Sequence, residues 1–247
     1  MSQLALPTTT PEGGDTRASF LRKAGLGSAA LVGSSALLGG PGTAFAGHED
    51  SIPDVDILNY ALTLEYLEAT FYTQALGGSG TTGVPASKAR FGRDMITDAK
   101  QLDRLAGDIR DHAYRHLRVI RNHEVTHVDF LRKALGDKAV GPCEFTFSAA
   151  LRNARSFLST AQVLENTGVM AYDGGIRYVD AGDNLQAGAE IATVEARHAA
   201  YLNLINNDSP FPRAFDVGKK PSEIFKAVSQ FIVSCPDEVT KLFKRLP

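Results

Sequence analysis

Four segments of the chain carry an apolar pattern of helical spacing, and a glutamate interrupts each pattern. In the first segment Glu65 lies in line with Leu62 and Ala69. In the third segment Glu165 lies in line with Ala161 in the same way. A carboxylate on an apolar helix face is costly to bury unless it is paired or bound to a metal ion. The chain must therefore fold so that these acids meet a cation or a hydrogen-bond donor.

The second and fourth segments add a histidine three residues after the glutamate. Glu124 and His127 form the first of these pairs, and Glu195 and His198 form the second. Residues three apart on a helix lie on one face, so the two side chains of a pair can reach one point. Each pair is therefore a candidate for two ligands of one metal ion.

Together the segments form a repeat in the order Glu, Glu-x-x-His, Glu, Glu-x-x-His. This is the ligand inventory of dimetal carboxylate bundles. Four carboxylates neutralise two divalent ions, and two neutral imidazoles leave positions open for dioxygen, peroxide or water. Oxygen and nitrogen donors of this kind suit iron or manganese, and the sequence does not choose between them. The predicted metal ligands are Glu65, Glu124, His127, Glu165, Glu195 and His198.

Two tyrosines extend the repeat. Tyr72 follows Glu65 by seven positions, as Tyr172 follows Glu165. We expect both tyrosines to pack in the core with one hydrogen bond each rather than to act as redox groups. Glu68, three residues after Glu65, is an alternative ligand on nearly the same face. We prefer Glu65, because only Glu65 obeys the repeat.

The apolar periodicity predicts helices, and no segment shows the alternation and turns of a hairpin. Asp54 is expected to cap the first helix, and Gly77 and Gly136 to end the first and second. The run Asp173-Gly174-Gly175 is expected to end the third. A long connection after the first helix is expected to hold a short helix. We expect that short helix within 91–105, and the long ones over about 54–76, 105–135, 149–171 and 184–205.

These elements predict an all-α, four-helix bundle with a long connection and a C-terminal helical extension. The bundle is expected over 47–206, and the extension over 207–247 is expected to pack on one side of it. Outside the cytoplasm Cys143 and Cys235 could form a disulfide, or they could remain two separate buried thiols. The sequence leaves both possibilities open.

The first 46 residues have the order of an export signal: a charged region, a weakly apolar region and an A-x-A cleavage site ending at Ala46. Arg17 lies in a string that resembles the twin-arginine signal, but Ala18 stands where the second arginine belongs, which leaves the export route open. We expect the mature protein in the periplasm or outside a bacterial cell. An N-terminal tail or an uncleaved anchor is the alternative.

The composition argues against several classes of partner and site. The net charge of −2 gives no basic footprint for nucleic acid. No run reaches about 18 apolar residues, so no integral membrane span is expected in the mature form. The 2 cysteines are too few for a Cys-only zinc site.

One string supports a different metal chemistry. His123 to His127 reads His-Glu-x-x-His, the zinc-peptidase motif, in which both histidines bind zinc and Glu124 is the general base. A third ligand is then required, and Glu144 follows at a plausible distance. The zinc hypothesis leaves Glu65 and Glu165 unexplained, so it is the minor alternative.

The chain resembles exported ferritin-like proteins of the bacterial and plant desiccation-related type. The resemblance lies in residues 54–72, in the string 123–127 and in residues 210–216. It implies the same six ligands, and it implies redox chemistry with dioxygen or peroxide, as in a ferroxidase or a peroxide-detoxifying enzyme. The alternative is a non-catalytic protein that binds metal or protects against desiccation and other stress. A small homo-oligomer is expected rather than a storage shell.

Overall fold

Helices dominate the part of the chain that the computed structural model describes, residues 52–247. Two short strands, β1 (Glu144–Phe145) and β2 (Ile232–Ser234), form an antiparallel pair. The expected all-α fold is confirmed. The expected export signal lies outside the described residues. The α-helices are α1 (Asp54–Leu76), α2 (Arg93–Thr97), α3 (Gly107–Leu135), α4 (Ala154–Gly175), α5 (Gly182–Ile205), α6 (Pro221–Val228) and α7 (Asp237–Arg245).

The four long helices pack as two antiparallel pairs. In the pair of α1 and α3, Asn59 near the start of α1 bonds to the carbonyl of Lys138, while Arg121 donates to the carbonyl of Gly77 after the end of α1. In the pair of α4 and α5, Gln162 bonds to Asn203. The helices bury their apolar stripes against one another, and this burial is the main source of their stability.

The segment between α3 and α4, residues 136–153, runs along α1. Its beginning lies near the start of α1, where the backbone N–H of Val140 donates to Asn59 Oδ1 at 2.9 Å. Its end lies near the end of α1, where the rings of Phe147 and Phe71 are 5.2 Å apart. This crossover lets α4 begin at the end of the bundle where α3 also begins.

The C-terminal residues pack on two of the bundle helices. The backbone N–H of Lys219 donates to Met170 of α4 at 2.9 Å, and the ring of Phe243 in α7 lies 5.9 Å from that of Tyr60 in α1. A disulfide joins Cys143 in the crossover to Cys235 after β2. The C-terminal segment is thus tied both to the bundle and to the crossover.

Three local predictions need correction, and the bounds of the third long helix are a fourth. Asp54 is the first residue of α1 rather than its cap, and its carboxylate accepts the backbone N–H groups of Asp180 and Ala181 at the entry to α5. The short helix expected within 91–105 is two pieces, α2 and a 3-10 turn over 100–102. The β1–β2 pair was not predicted, because strands of two and three residues are too short to show alternation.

The third long helix is displaced toward the C-terminus relative to its prediction. It begins at Ala154, because Asn153 caps it by accepting the N–H of Ser156 at 2.8 Å. It also continues through Gly175. Gly174 serves close packing there rather than termination, since a Cβ on it would lie 1.8 Å from the carbonyl oxygen of Lys219. No helix among residues 52–247 is long and apolar enough to span a membrane.

Candidate metal centre

The six predicted ligands meet inside the bundle, one or two from each long helix. Within each of two groups, the ligand atoms all lie within 4.8 Å of one another. All four glutamates have 0% of their surface exposed. The first group is Glu65, Glu124, His127 and Glu195, and the second is Glu124, Glu165, Glu195 and His198.

Glu124 and Glu195 belong to both groups. Nδ1 of His127 lies 3.4 Å from Oε2 of Glu124, and Nδ1 of His198 lies 3.0 Å from Oε1. Oε1 of Glu195 lies 3.4 Å from the first imidazole and 3.8 Å from the second. None of these contacts has hydrogen-bond geometry, so the oxygens of both acids are buried without a donor among the described residues. A carboxylate that faces two imidazoles in this way is placed to bridge two cations.

Glu65 and Glu165 belong to one group each, and a tyrosine from the other half of the repeat holds each of them. Tyr172 donates to Oε1 of Glu65 at 2.5 Å, and Tyr72 donates to Oε1 of Glu165 at 2.6 Å. Oε2 of each acid faces the histidine of its own group at 3.2 Å. The tyrosines therefore orient one oxygen of each acid toward the interior of the centre.

Protons neutralise part of the charge of the candidate centre. Burial raises the pKa of Glu65 to about 7, although the neighbouring His127 lowers it in part. Burial alone would lower the pKa of His198, but Glu165 and Glu124 raise it to about 11. The pKa of His127 is raised for the same reason, chiefly by Glu65. The imidazoles thus carry protons that a metal ion would have to displace in order to bind there.

The two shared acids differ in their electrostatic surroundings. Burial raises the pKa of Glu195 well above its usual range, and the nearby Glu124 raises it further. At Glu124 the effect of burial is outweighed by His127 and His198, which lower its pKa below the usual range. Glu124 is therefore the acid of the centre that both imidazoles favour in its charged form.

His123 and Glu68 adjoin the centre, although the repeat assigns them no role. Nδ1 of His123 lies 2.9 Å from Nε2 of His198, and the two rings stack with their centroids 5.2 Å apart. Glu68 is 4% exposed and lies among the acids of the centre. The matching position of the repeat is Val194 for His123, so the repeat could not reveal it.

The arrangement favours the dimetal hypothesis over the zinc-peptidase one. A zinc peptidase needs both histidines of the string on one ion and Glu124 free as a base. Here Glu124 lies in both groups, whereas His123 lies in neither. Glu144, the third ligand of that hypothesis, is exposed on β1 and accepts a hydrogen bond from Ser234.

The donor set fits a pair of metal ions. Metal–ligand bonds are about 2.0–2.3 Å long, so donors around one ion lie within about twice that length of one another. The ligand atoms of each group lie within 4.8 Å of one another, which is close to that compactness. Four buried acids and two imidazoles, in two groups that share two acids, define a bundle protein with a candidate dimetal carboxylate centre. The model of the ferritin-like domain family matches residues 53–208, and the chain belongs to this family. No curated protein matches the chain.

Proposed function

We propose that the protein binds two divalent iron or manganese ions and uses them for redox chemistry with dioxygen or peroxide. The sharing of Glu124 and Glu195 between two buried ligand groups carries the proposal. A bound pair of such ions supplies reversible electron transfer to an oxygen species at positions that protein ligands leave open. Ferroxidase and peroxide-detoxifying activity are the two forms of this chemistry that the proposal covers.

The side chains of the centre have separate roles in this function. Glu124 and Glu195 would bridge the two ions, while Glu65 with His127 and Glu165 with His198 would complete one ion each. Tyr72 and Tyr172 fix the orientation of the terminal acids through their hydrogen bonds. Orientation by such outer partners strengthens ligand binding.

An apolar cleft supports access of a small apolar oxidant. The cleft lies between the long helices, and Leu64, Phe130, Ile191 and Tyr172 are among its lining residues. Tyr172 is also the residue that donates to Glu65. Because dioxygen is apolar, an apolar cleft that reaches a residue bonded to a metal ligand suits its entry.

An exported location is part of the proposal. The disulfide between Cys143 and Cys235 supports it, because disulfides persist mainly in oxidising compartments. We propose that the protein works in the periplasm or outside the cell, as a small homo-oligomer. Light scattering of the purified protein measures the mass of the assembly. A particle of about 24 subunits would be a closed shell of symmetric homo-oligomer type and would contradict a small assembly.

The test is oxidation of ferrous iron by the full chain. Protein stripped of metal and loaded anaerobically with Fe²⁺ is exposed to dioxygen or hydrogen peroxide, and the oxidised-iron absorbance and the loss of oxidant are followed. We expect oxidation at a rate above that of iron in buffer, with Glu124→Gln inactive and Glu190→Gln, an exposed acid on α5, unchanged. If neither iron nor manganese makes the protein consume either oxidant, the redox proposal fails.

Elemental analysis of protein purified from its own compartment separates the remaining hypotheses. Iron or manganese at two equivalents per chain supports the centre. Those ions without oxidant consumption support the non-catalytic, stress-protective alternative. A single zinc equivalent that His123→Ala abolishes would support the peptidase instead.

A further inference from the structure

The apolar cleft beside the metal centre is larger than the passage of dioxygen requires. It contains about 490 Å³ of space that protein atoms do not occupy, its open mouth included. A water molecule, which is similar in size to dioxygen, takes up only about 30 Å³. Binding sites for small organic molecules have volumes of about 300–1,000 Å³ and are mostly apolar. The cleft therefore has the size of a site for an organic molecule.

The lining of the cleft offers apolar contact almost throughout. Among the described residues that line it, none carries a charge. The hydroxyl of Tyr172 donates to Glu65, and the side-chain amide of Asn184 donates to Asp54, so both are already engaged. The hydroxyl of Tyr60 is buried and has no partner among the described residues. A ligand of the cleft would gain affinity mainly from apolar surface, by about fourfold for each methylene group removed from water.

One end of the cleft lies a single helical turn from the first ligand group. Ala61, Leu131 and Ile191 line the cleft. Each is four positions from a ligand of that group, in order Glu65, His127 and Glu195. Residues four apart share a helix face. No described lining residue stands four positions from Glu165 or His198, so the cleft adjoins the first group rather than the second.

The other end of the cleft extends toward the start of α1. The lining residues of α1 fall within 57–64 and those of α5 within 184–191. Seven positions correspond to about 10 Å of helix. Phe130, which is 43% exposed, and the half-buried Gly188 also line the cleft and mark its mouth. A linear molecule can thus have one end beside the first group and its remainder along the helices.

We propose that the cleft binds an alkyl hydroperoxide, with the alkyl chain along the helices and the peroxide group at the end beside Glu65 and His127. The inference rests on the proposed function, since the bound divalent ions supply the electrons. The O–O bond accepts two electrons as two divalent ions become trivalent. With two protons from solvent, its cleavage yields one alcohol and one water molecule. Hydrogen peroxide has no alkyl chain and gains nothing from the apolar lining, so alkyl hydroperoxides are the preferred oxidants.

The first test measures binding in the absence of metal. Octanol has the chain of octyl hydroperoxide but no O–O bond to reduce, and its binding to the metal-free full chain is followed by titration calorimetry. We expect one equivalent to bind, with the negative heat-capacity change that marks burial of apolar surface.

Gly188→Leu fills part of the cleft. A Cβ on Gly188 would lie 3.8 Å from Ile176, in ordinary contact, and leucine is favoured over glycine inside a helix, so the variant is expected to fold. We expect its affinity for octanol to fall by about tenfold or more, the loss of roughly two buried methylene groups. Gln186→Leu adds the same side chain at an exposed position of α5 outside the lining and is the matched control. Phe130→Ala removes apolar surface at the mouth and should weaken octanol binding by about threefold.

The second test compares two peroxides as oxidants. Full chain loaded anaerobically with Fe²⁺ is mixed with octyl hydroperoxide or with hydrogen peroxide, and the oxidised-iron absorbance is followed. We expect half-saturation at a concentration at least about tenfold lower for octyl hydroperoxide. Gly188→Leu should lose this preference and keep the wild-type rate with hydrogen peroxide, whereas Gln186→Leu should keep both.

The outcomes separate the cleft from the proposed function. Absence of octanol binding, or octanol binding that is equal in Gly188→Leu, would overturn the cleft as the site of the alkyl chain. Equal half-saturation for the two peroxides would overturn the preference, while oxidation of bound iron would still support the redox proposal. Octanol binding without reduction of either peroxide would overturn the hydroperoxide assignment together with the peroxide form of the proposed function.

Discussion

Tyr72 of α1 donates a 2.6 Å hydrogen bond to Glu165 of α4. The matching residues of the repeat form the reciprocal bond, in which Tyr172 of α4 donates to Glu65 of α1. Each half of the repeat therefore orients the acid of the other half. The two tyrosines are fully buried, and burial raises the pKa of both well above the usual range. They remain neutral donors at every pH at which the protein would work.

Removing one of these donors should weaken metal binding. Tyr172→Phe leaves Oε1 of Glu65 without its partner, so the acid loses its fixed orientation. We expect the affinity for one metal ion to fall by about 10–100-fold, with the fold retained. Titration calorimetry with Mn²⁺ measures the change. Tyr201→Phe is the control, because Tyr201 faces His116 outside the centre, and an equal loss in both variants would contradict the orienting role.

Shared and terminal acids should differ in their effects. Glu195→Gln removes a ligand of both ions, so we expect both equivalents to bind at least about tenfold more weakly. Glu65→Gln removes a ligand of one ion, so one equivalent should remain close to its wild-type affinity. Metal-binding isotherms of the two variants provide the comparison. Identical isotherms would show that Glu195 does not bridge.

The metal-free protein should lose stability as pH rises from about 5 to 9. The pKa of Glu65 is about 7 in the folded state, against 4.5 in the unfolded chain, and that of His198 is about 11, against 6.5. In both cases the folded state holds more protons, so unfolding becomes easier as pH rises through the interval between the two pKa values. Melting curves across this range, with and without Mn²⁺, test the prediction.

Metal binding should reverse this dependence. Bound ions replace the protons on His127 and His198, so binding releases protons and becomes stronger as pH rises. Calorimetry in buffers of different ionisation enthalpy counts the released protons. A melting temperature of the metal-free protein that increases from pH 5 to 9 would contradict the assignment of protons to the imidazoles.

The disulfide should stabilise the fold without serving the metal centre. Cys143 and Cys235 are separated by 92 positions, and closing a loop of that length corresponds to about 4–5 kcal/mol in the chain-entropy treatment. The double variant Cys143→Ser, Cys235→Ser should therefore unfold at lower denaturant concentration. Its metal stoichiometry should equal that of the wild type, because no ligand lies in the crossover or the C-terminal segment.

The repeat made the fold and the grouping of the six candidate ligands predictable. Glu65 and Glu165 interrupt long apolar patterns, and the cost of burying a lone carboxylate links them to a common interior point. The ends of α1 and α3 were predictable because Gly77 and Gly136 adopt the left-handed backbone, with φ of 71° and 56°.

Features that depend on contacts between distant segments were not predictable. Gly174 reads as a helix breaker in sequence, yet its role depends on the approach of Lys219, which is 45 positions away. The crossover along α1 has no periodic pattern of its own, because it takes its shape from bonds to Asn59. From the sequence, Glu68 was only an alternative to Glu65 as a metal ligand, since sequence spacing does not show that both acids are buried.

The pairing of His123 with His198 makes the two halves of the duplicated centre unequal. In the half that contains Glu165 and His198, the exposed imidazole of His123 contacts Nε2 of His198. In the other half, the repeat has Val194 at the position that matches His123. Because outer partners tune the affinity of a metal site, we expect the two positions to differ in affinity. Occupancy should therefore proceed in steps, and a singly loaded species should accumulate at intermediate metal concentrations.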